Sequence, residues 1–215
     1  MNSPSEGNAG GRATRERILL VAERLFARRG IEAVSMREIL EEAGQRNKSA
    51  AQYHFGGKDG LVTAVLNFRL EAINHRRTAR LDDIEAAGLQ SDLRELAAAV
   101  VCPLAETLDD ADNHFAGLLV RWHLDQPFRN RDNYVDPVVT ESYRRIGAML
   151  RHASGLSGSG FDVRYALAID MTYTALAVRH ASERSEVDTS PERHEFVRNL
   201  VDAVHGIFAS PNYDG

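Results

Sequence analysis

The chain is 215 residues long, 43% hydrophobic, with a formal net charge of −5 at neutral pH and one cysteine, Cys102. That is enough chain to bury a sizeable core as one large domain or two small ones, and one cysteine excludes an internal disulfide. No apolar run approaches the roughly 18 residues of a membrane span, and the polar opening MNSPSEGNAGGRA lacks the apolar stretch of a secretory signal, so a cytoplasmic protein is expected.

The charge is unevenly placed. Residues 1–60 carry 10 Lys+Arg against 8 Asp+Glu, and residues 61–215 carry 16 against 23. This describes a basic head on an acidic body. Residues 1–13 are expected to form a disordered N-terminal arm. Thr14 then suits an N-cap, and Ile18, Ala22, Leu25 and Phe26 fall on one face of a helix over 15–29, stopped by Gly30. Ser35 and Glu38 have the capping-box spacing and open a second helix with Met36, Ile39, Leu40 and Ala43 inward, ended by Gly44. A third, short helix is predicted from Lys48 or Ser49 to Phe55, broken by Gly56-Gly57. From Lys58 to about Glu85, Leu61, Ala64, Val65, Phe68, Ala72 and Ile73 predict one long helix with a basic patch from Arg69 to Arg80. Past Gly88 the predicted helices are 91–108, 113–125, 137–153, 161–183 and 191–209, with Pro103 expected to kink or divide the first. No strand-like alternation of useful length occurs. The expected fold is all-α, about nine helices, with a helix-turn-helix head at 14–60 and a helical-bundle body at 61–215.

Short helix, tight turn, short polar helix, then a long helix is the order in which a chain builds a unit that enters the DNA major groove. The stretch RNKSAAQYHFGGK, Arg46 to Lys58, contains the only two lysines of the chain. Arg46, Asn47, Lys48, Ser49 and Gln52 are donors or acceptors, and Ala50 and Ala51 are small enough for close backbone approach. Gln or Asn can pair with adenine, and Arg or Lys with guanine. Tyr53, His54 and Lys58 suit phosphate contacts, Lys58 adding the free amides of the long helix it opens, while Ala51 and Phe55 are expected to face the core of the head.

These residues resemble the tetracycline-repressor (TetR) family of bacterial transcription regulators. The resemblance is carried by Arg15 to Ile18, Ala22 to Phe26, Gly30, Val34 to Arg37, Ile39, Ala43-Gly44, and above all Tyr53-His54-Phe55 with Lys58 and Leu61. It covers roughly residues 14–65. It implies phosphate contacts from Thr14, Ser35 and Arg37 as well, and a C-terminal domain that binds an effector and dimerises. One departure is the stretch between the Ala-Gly turn and the tyrosine: Gln45 to Gln52 is longer than is usual in that family, so Gln45 to Asn47 is taken as loop.

The resemblance also implies a dimer interface built from the last two long helices. Both spread apolar residues over more than one face, which asks for two partners; Tyr165, Ile169, Tyr173, Phe196, Leu200, Val204 and Phe208 are the candidates. Phe115, Trp122, His123, Phe128, Tyr143, Met149 and Met171 are candidates for an apolar pocket with a few polar handles, and each is also ordinary core material for a bundle of this size. Residues 126–137 are a candidate lid or subunit contact.

No metal is expected: the eight histidines form no His-x3-His pair and Cys102 has no cysteine partner. No cofactor is expected. GxSxG, GxGxxG and a phosphate loop are all absent, and His123 and Asp125, two apart on a helix, do not share a face, so an enzyme is not expected. The sequence is therefore read as a DNA-binding transcriptional regulator, a ligand-responsive repressor that holds a palindromic double-stranded operator as a homodimer and answers to an unidentified small-molecule effector. Its rivals are a ligand-binding dimer of the same fold without operator binding, and an all-α enzyme.

Overall fold

A computed structural model of the chain describes residues 4–45, 55–110, 112–124, 135–184 and 192–211. Among them every regular element is helical: α1 (Pro4–Arg29), α2 (Met36–Glu42), α3 (Lys58–Ala86), α4 (Leu93–Ala105) running into a 3₁₀ turn (Glu106–Asp109), α5 (Phe115–Leu124), α6 (Glu141–Ser154), α7 (Gly158–Glu183) and α8 (Arg193–Ala209). The chain divides into two compact units, Met1–Arg69 with Asp112–Val135, and Leu70–Ala111 with Asp136–Gly215.

In the first unit α5 lies along α1, and Gly117 of α5 allows the close approach, since a methyl group there would press on the Ala27 side chain at 3.3 Å. Phe26, Ile31, Ile39, Leu61, Phe115 and Leu118 make the dry centre. A carboxylate is buried beside it. Glu23, 1% exposed, accepts from Arg69 Nε at 2.6 Å and Nη2 at 3.2 Å, and from the backbone amide of His114 at 2.6 Å. A buried ion is tolerable only when paired and hydrogen-bonded, and Glu23 is both. The three donors come from α3 and from the residue preceding α5, so this one carboxylate joins three segments of the unit.

The second unit is organised around α4. This helix is apolar nearly all round, with Leu96 to Val101 and Pro103 to Ala105 buried, as expected of a helix enclosed by others. It packs on α8, α6 and α7. Pro103 neither divides the helix nor ends it; α4 continues to Ala105 before tightening into the 3₁₀ turn. Proline leaves the carbonyl of Ala99 without its helical donor, and Arg77 Nε supplies one at 3.0 Å. At the far end of the unit Glu183 accepts from Arg179 and Arg193 at 2.7 Å each, and Arg193 also reaches Asp109 at 2.9 Å, which ties α7, α8 and the 3₁₀ turn together.

Helix limits past Gly88 fall within a few residues of expectation, and the long helix is Lys58–Ala86. Three points differ. The first helix begins at Pro4, through the segment expected to be a disordered arm, so Thr14 sits inside α1 and caps nothing. The compact units do not break at residue 60: the first turns of α3 and all of α5 pack with the head, because Leu61, Val62, Val65 and Leu66 and the apolar face of α5 complete its core. The basic patch Arg69 to Arg80 is not a patch. Arg69 turns onto Glu23, Arg77 is buried, and Arg76 and Arg80 pair with Glu106 and Glu95. Helical spacing distributes cations round the axis, and only packing decides which of them turn inward.

Glu23→Ala leaves Arg69 and the His114 amide without their acceptor, and breaking a buried pair by removing one partner typically costs about 3–5 kcal/mol. Urea unfolding of wild type and variant measures this directly; a loss within about 1 kcal/mol, the range of a surface pair, would remove Glu23 from its organising role.

Candidate nucleic-acid interface

The turns on either side of α2 are built by local chemistry. Gly30 ends α1 at φ +87°, a left-handed backbone that glycine adopts without strain. Ser35 caps α2: its Oγ accepts from Glu38 N at 3.3 Å, and its own amide donates to Glu38 Oε2 at 2.8 Å. The capping box read from the spacing is therefore present. The Ser35 amide first, then the Ser35 hydroxyl, which donates to Glu38 Oε2 at 2.8 Å, and the Arg29 guanidinium at 3.0 Å hold the Glu38 carboxyl down at about 2. At the other end, Gln45 N donates to Leu40 O at 2.8 Å and Gly44 N to Glu41 O at 3.1 Å, with Gly44 left-handed at φ +70°. This is a Schellman closure, and it turns the chain sharply after α2.

Residues 46–54 lie outside the described residues, so Arg46, Asn47, Lys48, Ser49, Gln52, Tyr53 and His54 are not placed, nor is Ala51. The segment is nevertheless bracketed. Beyond it Phe55 is buried, as expected, with the Arg15 guanidinium 5.6 Å from its ring centroid. A methyl group at Gly60 would collide with the Phe55 carbonyl oxygen, so Phe55 presses directly on the first turn of α3. The Lys58 ammonium donates to the Glu32 carbonyl at 3.1 Å, joining the start of α3 to the turn between α1 and α2.

The remaining head candidates have partners of their own. Thr14 is half-buried within α1. The Ser35 hydroxyl donates to Glu38 Oε2 at 2.8 Å. Arg37 is exposed and paired with Glu41 at 2.7 Å, which raises its pKa further. Arg15 also meets the Phe55 ring, a contact between residues 40 apart that no local spacing in the sequence signals.

The pocket candidates separate between the units. Phe115 and Trp122 are buried in the first, with His123 edge-on to Trp122 at 5.7 Å. Tyr143, Met149 and Met171 belong to the second, each half-buried, and Phe128 lies outside the described residues. The dimer candidates face inward. Ile169, Leu200, Val204 and Phe208 are buried in the core of the second unit. Tyr165 donates to the Tyr143 carbonyl at 3.0 Å, Tyr173 is hydrogen-bonded to Tyr143, and Phe196 lies 5.7 Å beneath the Arg179 guanidinium. The open apolar side of α7 is instead Val163, Leu167 and Val178, 57%, 56% and 61% exposed. Their spacing was legible, but both faces of this helix are apolar and the sequence does not say which one is spent on its own core.

Residues 18–65 match the model of the bacterial regulatory proteins of the tetR family. The head is thus similar to the DNA-binding domain of that family. Across the longer chain the solved structures most usefully compared are Salmonella enterica GusR, at 20% identity and TM-score 0.47 over 92% of this chain and 96% of that one, and a TetR-family regulator from Streptomyces coelicolor A3, at 21% identity and TM-score 0.38 over 94% and 97%. Both similarities are too low to carry residue assignments. No curated protein matches the chain. Among the described residues no helix is long and apolar enough to cross a membrane.

The capping box also sets a pH dependence. Glu38 has its folded pKa lowered, from an ordinary value of 4.5 to about 2, so its contribution to stability is complete above about pH 4.5 and disappears as pH falls through 2. Carboxyl-carbon NMR titration should give Glu38 a midpoint near 2 in wild type and one closer to the ordinary value in Ser35→Ala; an unshifted midpoint in wild type would refute the cap.

Proposed function

We propose that the protein is a ligand-responsive transcriptional repressor that binds a palindromic operator as a homodimer. The observation that carries this reading is the TetR-family match over residues 18–65, in which a polar segment is bracketed by a Schellman closure and by buried Phe55. A reading element must be held at both ends by a rigid scaffold if its side chains are to meet base edges in register. On this reading Gln52, Lys48, Asn47, Arg46 and Ser49 approach bases, and Tyr53, His54, Lys58, Arg37, Ser35 and Thr14 approach phosphates. The DNA-binding residues of the head, 14–60, are then carried on the first compact unit, and the second unit is the effector-binding, dimerising body, with no enzymatic step.

Tyr53→Ala combined with Lys58→Ala should weaken operator binding about tenfold or more while leaving the dimer intact, and affinity should fall steeply with salt because released counterions drive phosphate contacts. Fluorescence anisotropy on DNA upstream of the protein's own gene provides the measurement. Unchanged affinity in the double variant, or a flat salt dependence, would remove the assigned interface.

The homodimer is assigned to the outer face of α7. Val163, Leu167 and Val178, with half-buried Met171 between them, recur at helical spacing on one side, and an exposed apolar stripe of this length marks an interaction surface. Gly206 of α8 has nothing within 4 Å of where a Cβ would stand, which lets a second helix come close. Leu167→Glu should convert the dimer to a folded monomer in analytical ultracentrifugation, with helix content unchanged by circular dichroism. A variant that sediments like wild type places the interface elsewhere.

A further inference from the structure

Three charged side chains apart from histidine are buried among the described residues: Glu23, Arg77 and Arg179. Glu23 has Arg69 and Arg179 has Glu183. Arg77 has no carboxylate within ion-pair distance among the described residues. Its Nε donates to Ala99 O at 3.0 Å and its Nη2 to Val100 O at the long distance of 3.5 Å, and its carbon lies 5.4 Å from the Tyr143 ring centroid. Its Nη1 makes no hydrogen bond among the described residues. Carbonyl dipoles and a π face compensate a buried cation only in part; such a group ordinarily acquires an anion.

The anion is not supplied by the neighbouring phenols. Burial pushes the hydroxyls of Tyr143 and Tyr165 upward, so both stay protonated. A second incomplete group stands close by. Ser142, fully buried, has an Oγ with no hydrogen-bond partner, while its amide donates at 2.9 Å to the Oδ1 of Asn74, one helical turn before Arg77 on α3. Consecutive residues of α6 thus meet consecutive turns of α3, and each junction holds an unused polar group. The surroundings are aromatic: Tyr143 and Tyr165 meet edge-on at 5.5 Å, and Tyr165 stacks on Phe161 at 5.5 Å.

We propose that this junction binds a small organic carboxylate with a flat, apolar body, its oxygens on Arg77 and Ser142 and its body against the tyrosine rings. The donor count selects a carboxylate over a phosphate. Two of the guanidinium nitrogens already serve backbone carbonyls, so what remains of the fork plus one hydroxyl matches two oxygens and falls short of a phosphate's three. This names the effector class of the body and rests on reading the second unit as the effector domain. An Arg77 present only to cap the Ala99 carbonyl freed by Pro103 has no reason to prefer a charged ligand.

The test uses the full chain and titration calorimetry with benzoate, phenylacetate and 4-hydroxybenzoate, each against its own amide. The acids should bind about tenfold or more tighter than the amides, since a charge-assisted bond is lost in the neutral isostere. Arg77→Gln keeps a donor for Ala99 but loses the charge, and should abolish the preference while still unfolding cooperatively; Ser142→Ala should weaken acid binding by a smaller factor. Amides binding as well as acids, no acid binding at millimolar concentration, or an Arg77→Gln variant that keeps the preference would each overturn the site. If Arg77→Gln does not fold, the acid-to-amide ratio in wild type decides. No DNA is present, so operator binding without acid preference removes this site and spares the repressor, and acid preference without operator binding does the reverse.

Discussion

The first unit depends on one buried carboxylate. Glu23 sits on α1 among apolar neighbours, and its charge is acceptable there only because Arg69 of α3 and the amide preceding α5 converge on it. Burial makes these bonds stronger than they would be in water, and makes the loss of any one of them more costly. An apolar contact tolerates a shift of a few tenths of an ångström, whereas a doubly donated carboxylate does not. The three segments, α1, α3 at Arg69 and the residue before α5, are therefore held in one arrangement by electrostatics laid over ordinary packing. Phe55 is buried in the same unit, and its backbone lies close against Gly60.

The second unit buries a charge with the opposite outcome. Arg77 sits against α4 and answers the carbonyl that Pro103 leaves open, but among the described residues no acid neutralises it. The contrast separates two uses of interior charge. A closed pair fixes a structure and has nothing left to offer a ligand. An open cation, beside an unpartnered serine hydroxyl and flanked by neutral phenols, keeps binding capacity in reserve.

The end of α1 and both limits of α2 were legible because their signals are local. The Ser35–Glu38 spacing, the glycines at 30 and 44 and the alternation of Ile18, Ala22 and Phe26 act within a turn or two of chain, and each appears in the structure where the spacing put it. The body was legible in outline for the same reason: helix limits follow apolar periodicity and turn residues. Faces were harder. The stripe of α7 assigned to a partner chain, Tyr165, Ile169 and Tyr173, lies against its own unit, while Val163, Leu167 and Val178 stay open, because a helix apolar on two sides carries no mark of which side folds first.

By itself the sequence determined the all-α class, the helix order, the capping box of α2 and the family resemblance of the head, since all of these rest on interactions between residues near one another in the chain. Tertiary structure alone decided that Glu23 would meet Arg69 across 46 positions, that Arg77 would lie buried beneath Tyr143, and that the row of arginines from 69 to 80 would be dispersed instead of forming a patch. The reason is physical: a charge's meaning depends on what surrounds it, and those surroundings come from segments distant in sequence that only packing brings together.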